Sequence, residues 1–332
     1  MPVFKIHHIT KYEYTRTVKE SNNAFIIYPI NNEEQELLMH EIDITENPDV
    51  YTYYDYWGNK VGLFNILGLH KQLVIDSKLT VRTIKTALTA ISVSSTIADL
   101  KNDIGNNLQL LELSKADNIV SQHKIDEIIK TLELVAGQKV AMITEECCHY
   151  IYKHFKYIKG ITTIETTVDE ILEFQSGVCQ DFAHLMLQIL RSMGIPSRYV
   201  SGYICPNKDG MRGEGATHAW VEAYVSGYGW AGIDPTNNVW VSDNHIKLAV
   251  GKNFTDCTPV KGSFKGLTKQ TLSVYVSIGY EDGHVFEEVN NVQMKTVSSK
   301  KKDEEEVPEY QEEEHHHQQH QEQRHKQDQH QQ

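Results

Sequence analysis

Three short segments hold residue types that together could carry out acyl transfer. The first is Gly177-Val178-Cys179-Gln180-Asp181, which puts Cys179 in the first turn of a predicted helix, behind a glycine. A helix start presents free N–H groups and partial positive charge. That field favours a thiolate over a thiol. The same N–H groups can receive the oxyanion that forms when an acyl group is attacked. The plain alternative is a small buried residue on a core helix, since free cysteine is among the most buried types.

A thiolate needs a proton carrier. Thr217 to Val225 reads as a strand with His218, Trp220, Glu222 and Tyr224 on one face and Ala219, Val221, Ala223 and Val225 on the other. A polar, aromatic face opposite a small apolar one suits a strand that lines a cleft. His218 at its head could pair with the thiolate and later protonate a leaving group; a surface histidine is the alternative. The imidazole in turn needs an orienting group. Trp230 to Thr236 is a short strand ending in Asp234-Pro235, joined to the His218 strand by a hairpin near Ser226-Gly227. Asp234 would then hold the imidazole Nδ1–H, although Asp before Pro is also a common turn. Each segment alone is weak, and the ordered set Cys179, His218, Asp234 is far more specific.

Other reactive side chains fit this chemistry less well. His184 lies five residues after Cys179, about 140° around a helix, and so off its face. Asp181 complements the helix dipole, and Gln180 is a weaker candidate for contact with the acyl oxygen. Trp220 and Tyr203 could wall the cleft or fill the core. Cys147-Cys148-His149 with His154 lacks the spacing of a zinc site. His315, His316, His317 and His320 lie in a Gln-rich polar run. We expect no cofactor and no metal.

Several elements must bring the three residues together. Phe4 to Tyr14, Glu41 to Thr45, Tyr54 to Asn59, Val61 to Ile66 and Gln72 to Ile84 read as short antiparallel strands, suggesting a sandwich or barrel-like domain. Helices are expected over Ile119 to Leu134, Gln138 to Phe155, Asp169 to Phe174 and Cys179 to Met193, the last stopped by Gly194-Ile195-Pro196. Strands follow at Ser197 to Ile204, Thr217 to Val225, Gly229 to Ile233 and Thr271 to Ser277, around a loop from Lys208 to Gly215. Helices followed by strands make an α+β core. The expected organisation is a β-rich domain over 1–85, a helical connector over 86–135, a catalytic core over 136–297 and a tail over 298–332.

The chain of 332 residues has a net charge of −13 and is 40% hydrophobic. That is enough to build cores, and the acidity argues against nucleic-acid binding. No apolar run is long enough to span a bilayer. From Lys300 onward the chain contributes −5 of the charge and six of the 17 histidines, with almost nothing to bury, so disorder is expected there. No secretory signal is visible at the N-terminus. Five cysteines without regular spacing give no disulfide framework, so a reducing cytoplasm is expected.

Gly177 to His184 with Leu190 to Tyr203, His218 to Ala223, and Gly229 to Asn237 resemble the cysteine, histidine and aspartate blocks of the transglutaminase-like superfamily. His245 to Gly251 and Asp256 to Gly262 are similar to its bacterial branch. So are Tyr12-Glu13-Tyr14, Pro29 and Asp55-Tyr56-Trp57-Gly58-Asn59, in the β-rich region that precedes that core. The resemblance covers roughly residues 1–265. It implies a papain-like α+β core with Cys179 as nucleophile, His218 as base and acid, and Asp234 as orienter. Ser176 stands where relatives often carry a basic residue. The function expected is hydrolysis of an amide or peptide bond through a thioester. Acyl transfer from protein glutamine to an amine, or a non-catalytic scaffold, are the rivals.

Overall fold

In a computed structural model the described residues are 2–84, 95–135, 137–205, 211–213, 217–280 and 285–292. The tail expected over 298–332 and most of the loop from Lys208 to Gly215 lie outside them. The chain is an α+β protein with an N-terminal antiparallel β region. That region contains β1 (Val3–Phe25), β2 (Gln35–Ile44), β3 (Tyr51–Tyr54) and β4 (Lys60–Thr83). The strand expected from Tyr54 into a turn at Gly58-Asn59 ends at Tyr54, and the turn begins at Asp55. Asp55 Oδ1 accepts the backbone N–H groups of Trp57 and Asn59 at 2.9 and 2.8 Å, and this Asx turn replaces ladder pairing. The two strands expected from Val61 to Ile84 are one, β4. Register shifts on either side of Val18 let its pairing with β1 continue past Gly68.

Among the described residues six helices follow: α1 (Ile97–Gly105), α2 (Leu108–Leu113), α3 (Gln122–Thr131), α4 (Val140–His154), α5 (Val168–Phe174) and α6 (Cys179–Ser192). Between them, β5 (Lys156–Tyr157) and β6 (Ser176–Gly177) form a short parallel pair. β7 (Ser197–Ile204), β8 (Thr217–Val225), β9 (Gly229–Asp234), β10 (Val239–Trp240) and β11 (His245–Gly251) make an antiparallel sheet ordered β10-β9-β8-β7-β11. Its inner face, with Ala219, Val221, Ala223 and Val225, packs in one apolar cluster with α4 and α6. α6 is the centre of that cluster. Even its polar Gln188 is buried, exchanging hydrogen bonds with the Asp117 backbone at 3.1 and 2.9 Å.

The last strands are β12 (Val260–Phe264), β13 (Gln270–Tyr280) and β14 (Val285–Val292). The sequence groups them with the core, but they hydrogen-bond into the N-terminal sheet, ordered β14-β13-β1-β4-β2, with β12 also on β1. The physical reason is edge coverage. A strand as long as β1 has a second edge beyond β4, and β12 and β13 fill it.

The two sheets share an apolar cluster that includes Phe4, Ile6, Val81 and Ile278 from one and Tyr203, Ile246 and Leu248 from the other. The free edge of β11 is covered by side-chain amides acting as short strand surrogates. Gln35 both donates to and accepts from the Lys247 backbone at 2.8 Å, and Asn59 does the same with Val250 at 2.8 Å. No helix among the described residues is long and apolar enough to cross a membrane.

Candidate active site

Cys179 is the first residue of α6 and is only partly buried. The helix start is fixed by Asp181, whose Oδ2 accepts the Val178 N–H at 2.7 Å and the Thr162 hydroxyl at 2.6 Å. Asp181 is therefore a cap as well as a charge beside the dipole. Burial raises its pKa, against these hydrogen bonds. Gly177 leaves the room Asp181 needs: a Cβ there would sit 2.6 Å from Asp181 Oδ2 and 2.7 Å from its Cβ. Gly177→Ala is expected to displace the cap and shift the first turn, costing about 1–3 kcal/mol. A lowered melting temperature together with slower alkylation of Cys179 would bear this out; unchanged values of both would refute it.

His218 and Asp234 are both buried. β8 and β9 pair with Val221 opposite Ile233, which brings the head of one strand beside the end of the other. His218 Nε2–H donates to Asp234 Oδ2 at 2.8 Å. The sequence reading had the other nitrogen, Nδ1, held by the carboxylate. In the structure the carboxylate takes Nε2 instead, which leaves Nδ1 as the ring nitrogen not engaged by Asp234. Nδ1 has no hydrogen bond of ordinary geometry, but it lies 3.3 Å from where a Cβ on Gly213 would stand, and Gly213 lines the same cleft as Cys179. Burial alone would lower the imidazole pKa. The Asp234 charge, then the Cys179 charge, outweigh burial and raise it to about 10.

Asp234 is held as a carboxylate from several sides. Burial would raise its pKa, but His218 and His245 together drive it well below the usual range. Thr236 N–H donates to Oδ1 at 2.9 Å and Asn237 Nδ2 to Oδ2 at 2.7 Å. His245 Nδ1 accepts the Ser242 N–H at 3.4 Å, so its Nε2–H faces Asp234 Oδ2, also at 3.4 Å. Cys148 donates its thiol to the Asp234 carbonyl at 3.4 Å. Sequence reasoning gave no role to Asn237 or His245. Asn237 was within reach as part of an Asp-Pro-Thr-Asn turn, whereas His245 arrives on β11 through pairing that no local pattern announces.

The other candidates have structural surroundings. His184 Nε2 accepts the Phe254 N–H at 3.2 Å, and burial lowers its pKa to about 4. Gln180 Nε2 donates to the Ile164 carbonyl at 3.3 Å. Trp220 and Tyr203 are fully buried, so neither walls an open cleft. The polar face expected along β8 is closed as well: Glu222 is buried against Arg198 and Lys247, which lower its pKa to about 2 against the effect of burial. Cys147 and Cys148 are buried in the apolar cluster, with burial raising both thiols, Cys147 to about 12. Among the described residues one group has metal-ligand proximity, His218, Asp234 and His245, with ligand atoms within 4.8 Å of one another. An ion there would have to replace the His218–Asp234 hydrogen bond.

Cys179 opens onto a cleft of about 390 Å³ between the helical core and the N-terminal sheet. A larger hollow of about 1140 Å³ lies on the N-terminal sheet beside Asn22, Leu67 and His70, with none of the three residues on its wall.

The site thus sets a helix-start cysteine on an α+β core whose adjacent strands carry a buried imidazole–carboxylate pair. The transglutaminase-like superfamily matches residues 135–235, and the bacterial transglutaminase-like N-terminal region matches residues 4–82. The uncharacterized protein ML0607 of Mycobacterium leprae is 31% identical over 283 residues, 82% of this chain and 97% of that protein. A protein-glutamine gamma-glutamyltransferase of Pseudomonas aeruginosa is 32% identical over 110 residues, 31% of this chain and 16% of that one. The crystal structure of a candidate cysteine protease from Cytophaga hutchinsonii shares the fold. Its TM-score is 0.65 at 21% identity, over 85% of this chain and 92% of that one. The chain belongs to the transglutaminase-like superfamily.

Proposed function

We propose that this protein is a cysteine-dependent hydrolase of amide or peptide bonds, with Cys179 as nucleophile, His218 as proton carrier and Asp234 as its orienter. The observation that carries the reading is a partly exposed helix-start Cys179 on a cleft, together with a buried His218 whose Nε2–H donates to Asp234 Oδ2 and whose pKa the Cys179 charge helps to raise. In the first half-reaction the Cys179 thiolate bonds to the carbonyl carbon. The oxyanion is received by free N–H groups at the start of α6. Nδ1–H of the His218 imidazolium protonates the nitrogen as the C–N bond breaks. An amine leaves and a thioester remains. His218, now neutral, takes a proton from water as its oxygen bonds to the acyl carbon. The C–S bond breaks, the acid departs, and the thiolate and imidazolium are restored.

Transfer to an amine uses the same thioester, and the gamma-glutamyltransferase relative favours this as a second reading. A scaffold with an idle site calls for a sealed thiol, and Cys179 is not sealed. The five cysteines free of disulfides fit a reducing cytoplasm. A library of peptides and simple amides should give amine release that vanishes in Cys179→Ala. Incorporation of an added amine into a glutamine peptide, with ammonia released, would move the assignment to transglutamination. Turnover persisting in Cys179→Ala would overturn both.

A further inference from the structure

The wall facing Cys179 is built by the other sheet. β1 and β13 pair with Tyr12 opposite Leu272 and Thr10 opposite Val274. The two-residue period of a strand puts these four on one face, and all four line the cleft that contains Cys179. Val260 adds an apolar surface beside them. The polar groups of this wall are spent on one another: the buried His8 bonds Tyr203 Oη through Nδ1 at 2.7 Å and Thr10 Oγ1 through Nε2 at 3.3 Å. Burial, then the neighbouring His7, lowers the His8 pKa to about 4, so it brings no charge.

Across the cleft, Ile164 and Phe254 are apolar as well. Among the described lining residues there is no carboxylate, and the one lysine or arginine is Lys159, which is exposed. A cation entering the cleft would be desolvated without an opposite charge, a costly outcome. An apolar group would gain from burial. About 390 Å³ is at the small end of ligand clefts, suited to one residue with its flanking backbone. In the acyl-enzyme only the acyl portion stays tied to Cys179, so that portion must occupy the space beside the sulfur.

We propose that the sheet face bearing Thr10, Tyr12, Leu272 and Val274 is the binding wall for the acyl-side residue of the substrate, and that this residue has an apolar, uncharged side chain. The proposal rests on Cys179 being the nucleophile. It gives the N-terminal β region a direct part in substrate choice.

Two labels with one electrophile test it: the chloromethyl ketones of acetyl-leucine and acetyl-lysine, with adduct formation at Cys179 followed by peptide mapping. Each rate is divided by the iodoacetamide rate of the same protein, because iodoacetamide carries no side chain and reports the thiol alone. The leucine label is expected to react at least about tenfold faster than the lysine label, the scale of discrimination by an apolar pocket. Val274→Glu should shrink or reverse that ratio. Equal normalised rates in the wild-type protein, or a ratio unmoved by Val274→Glu, would overturn the proposal while leaving Cys179 reactive. Failure of Cys179 to react with all three reagents would overturn the nucleophile assignment and this inference with it.

Discussion

Asp234→Asn is expected to lower amide turnover about thousand- to ten-thousand-fold while leaving the fold in place. The carboxylate does two things at once. It accepts Nε2–H of His218, which fixes the tautomer and leaves Nδ1 as the nitrogen available to the proposed thiolate. In the proposed mechanism it also stabilises the imidazolium that forms when the thiol is ionised. An asparagine amide can present its NH₂ to Nε2, which selects the wrong tautomer and removes the charge. His245 and Asn237 both donate to Asp234 Oδ2, and the new amide cannot satisfy all of these donors.

The same substitution should alter stability in a pH-dependent way. The His218 pKa is raised from 6.5 to about 10, so its contribution is complete below pH 6.5 and is lost as pH rises through 10. The Asp234 pKa is depressed from 3.8, so its contribution is complete above about pH 4 and is lost as pH falls. Wild-type stability from this pair therefore peaks between about pH 4 and 6.5. Thermal melts across pH should show that peak flattened in Asp234→Asn. A turnover loss below tenfold, or an unchanged melting profile, would contradict the role given to Asp234.

His218→Ala is expected to cost at least about a thousandfold in turnover, since general acid–base catalysis alone is worth about 10²- to 10⁴-fold. In the proposed mechanism one imidazole must both sustain the thiolate and protonate the leaving amine. The loss should fall on kcat, and Cys179 should also become a slower nucleophile toward small alkylating agents. Alanine at 218 removes one side of a buried pair and leaves Asp234 with a charge supported only by His245, Asn237 and Thr236. Some stability loss, about 3–5 kcal/mol, is therefore expected. Alkylation measured on protein shown by circular dichroism to be folded separates the two effects.

Local pattern explains why β7 and β8 have the limits expected from sequence, and why α6 begins at Cys179. Their periodicity, the Gly177 before the helix and the Gly194-Ile195-Pro196 after it are short-range signals. What was hidden depended on partners far along the chain. Strand β13 reads as a strand, but its place beside β1 is decided by which edge of β1 stays open. Residues 55–59 are as aromatic as a strand, yet the Asp55 carboxylate offers the backbone a turn instead. The three candidate residues could be read from their blocks. The ring nitrogen that meets the carboxylate could not, because it depends on how the His218 side chain is turned toward Asp234. Neither could His245, which reaches Asp234 only because β11 pairs with β7. The part of β1 and β13 in the cleft was equally out of view, since it requires the two sheets to pack through Tyr203 and Ile246.

The measurement that bears most directly on the Cys179–His218 pair is the rate of Cys179 alkylation by iodoacetamide between pH 5.5 and 9, in wild type and His218→Ala. Peptide mapping would separate Cys179 from the four buried cysteines. At pH 6 the wild-type rate should exceed that of the variant by at least about tenfold. The gap should close toward pH 9, where an ordinary thiol, with a pKa of about 8.5, ionises unaided. Superimposable profiles for the two proteins would mean that His218 does not sustain the thiolate, and the proposed chemistry would fall with it.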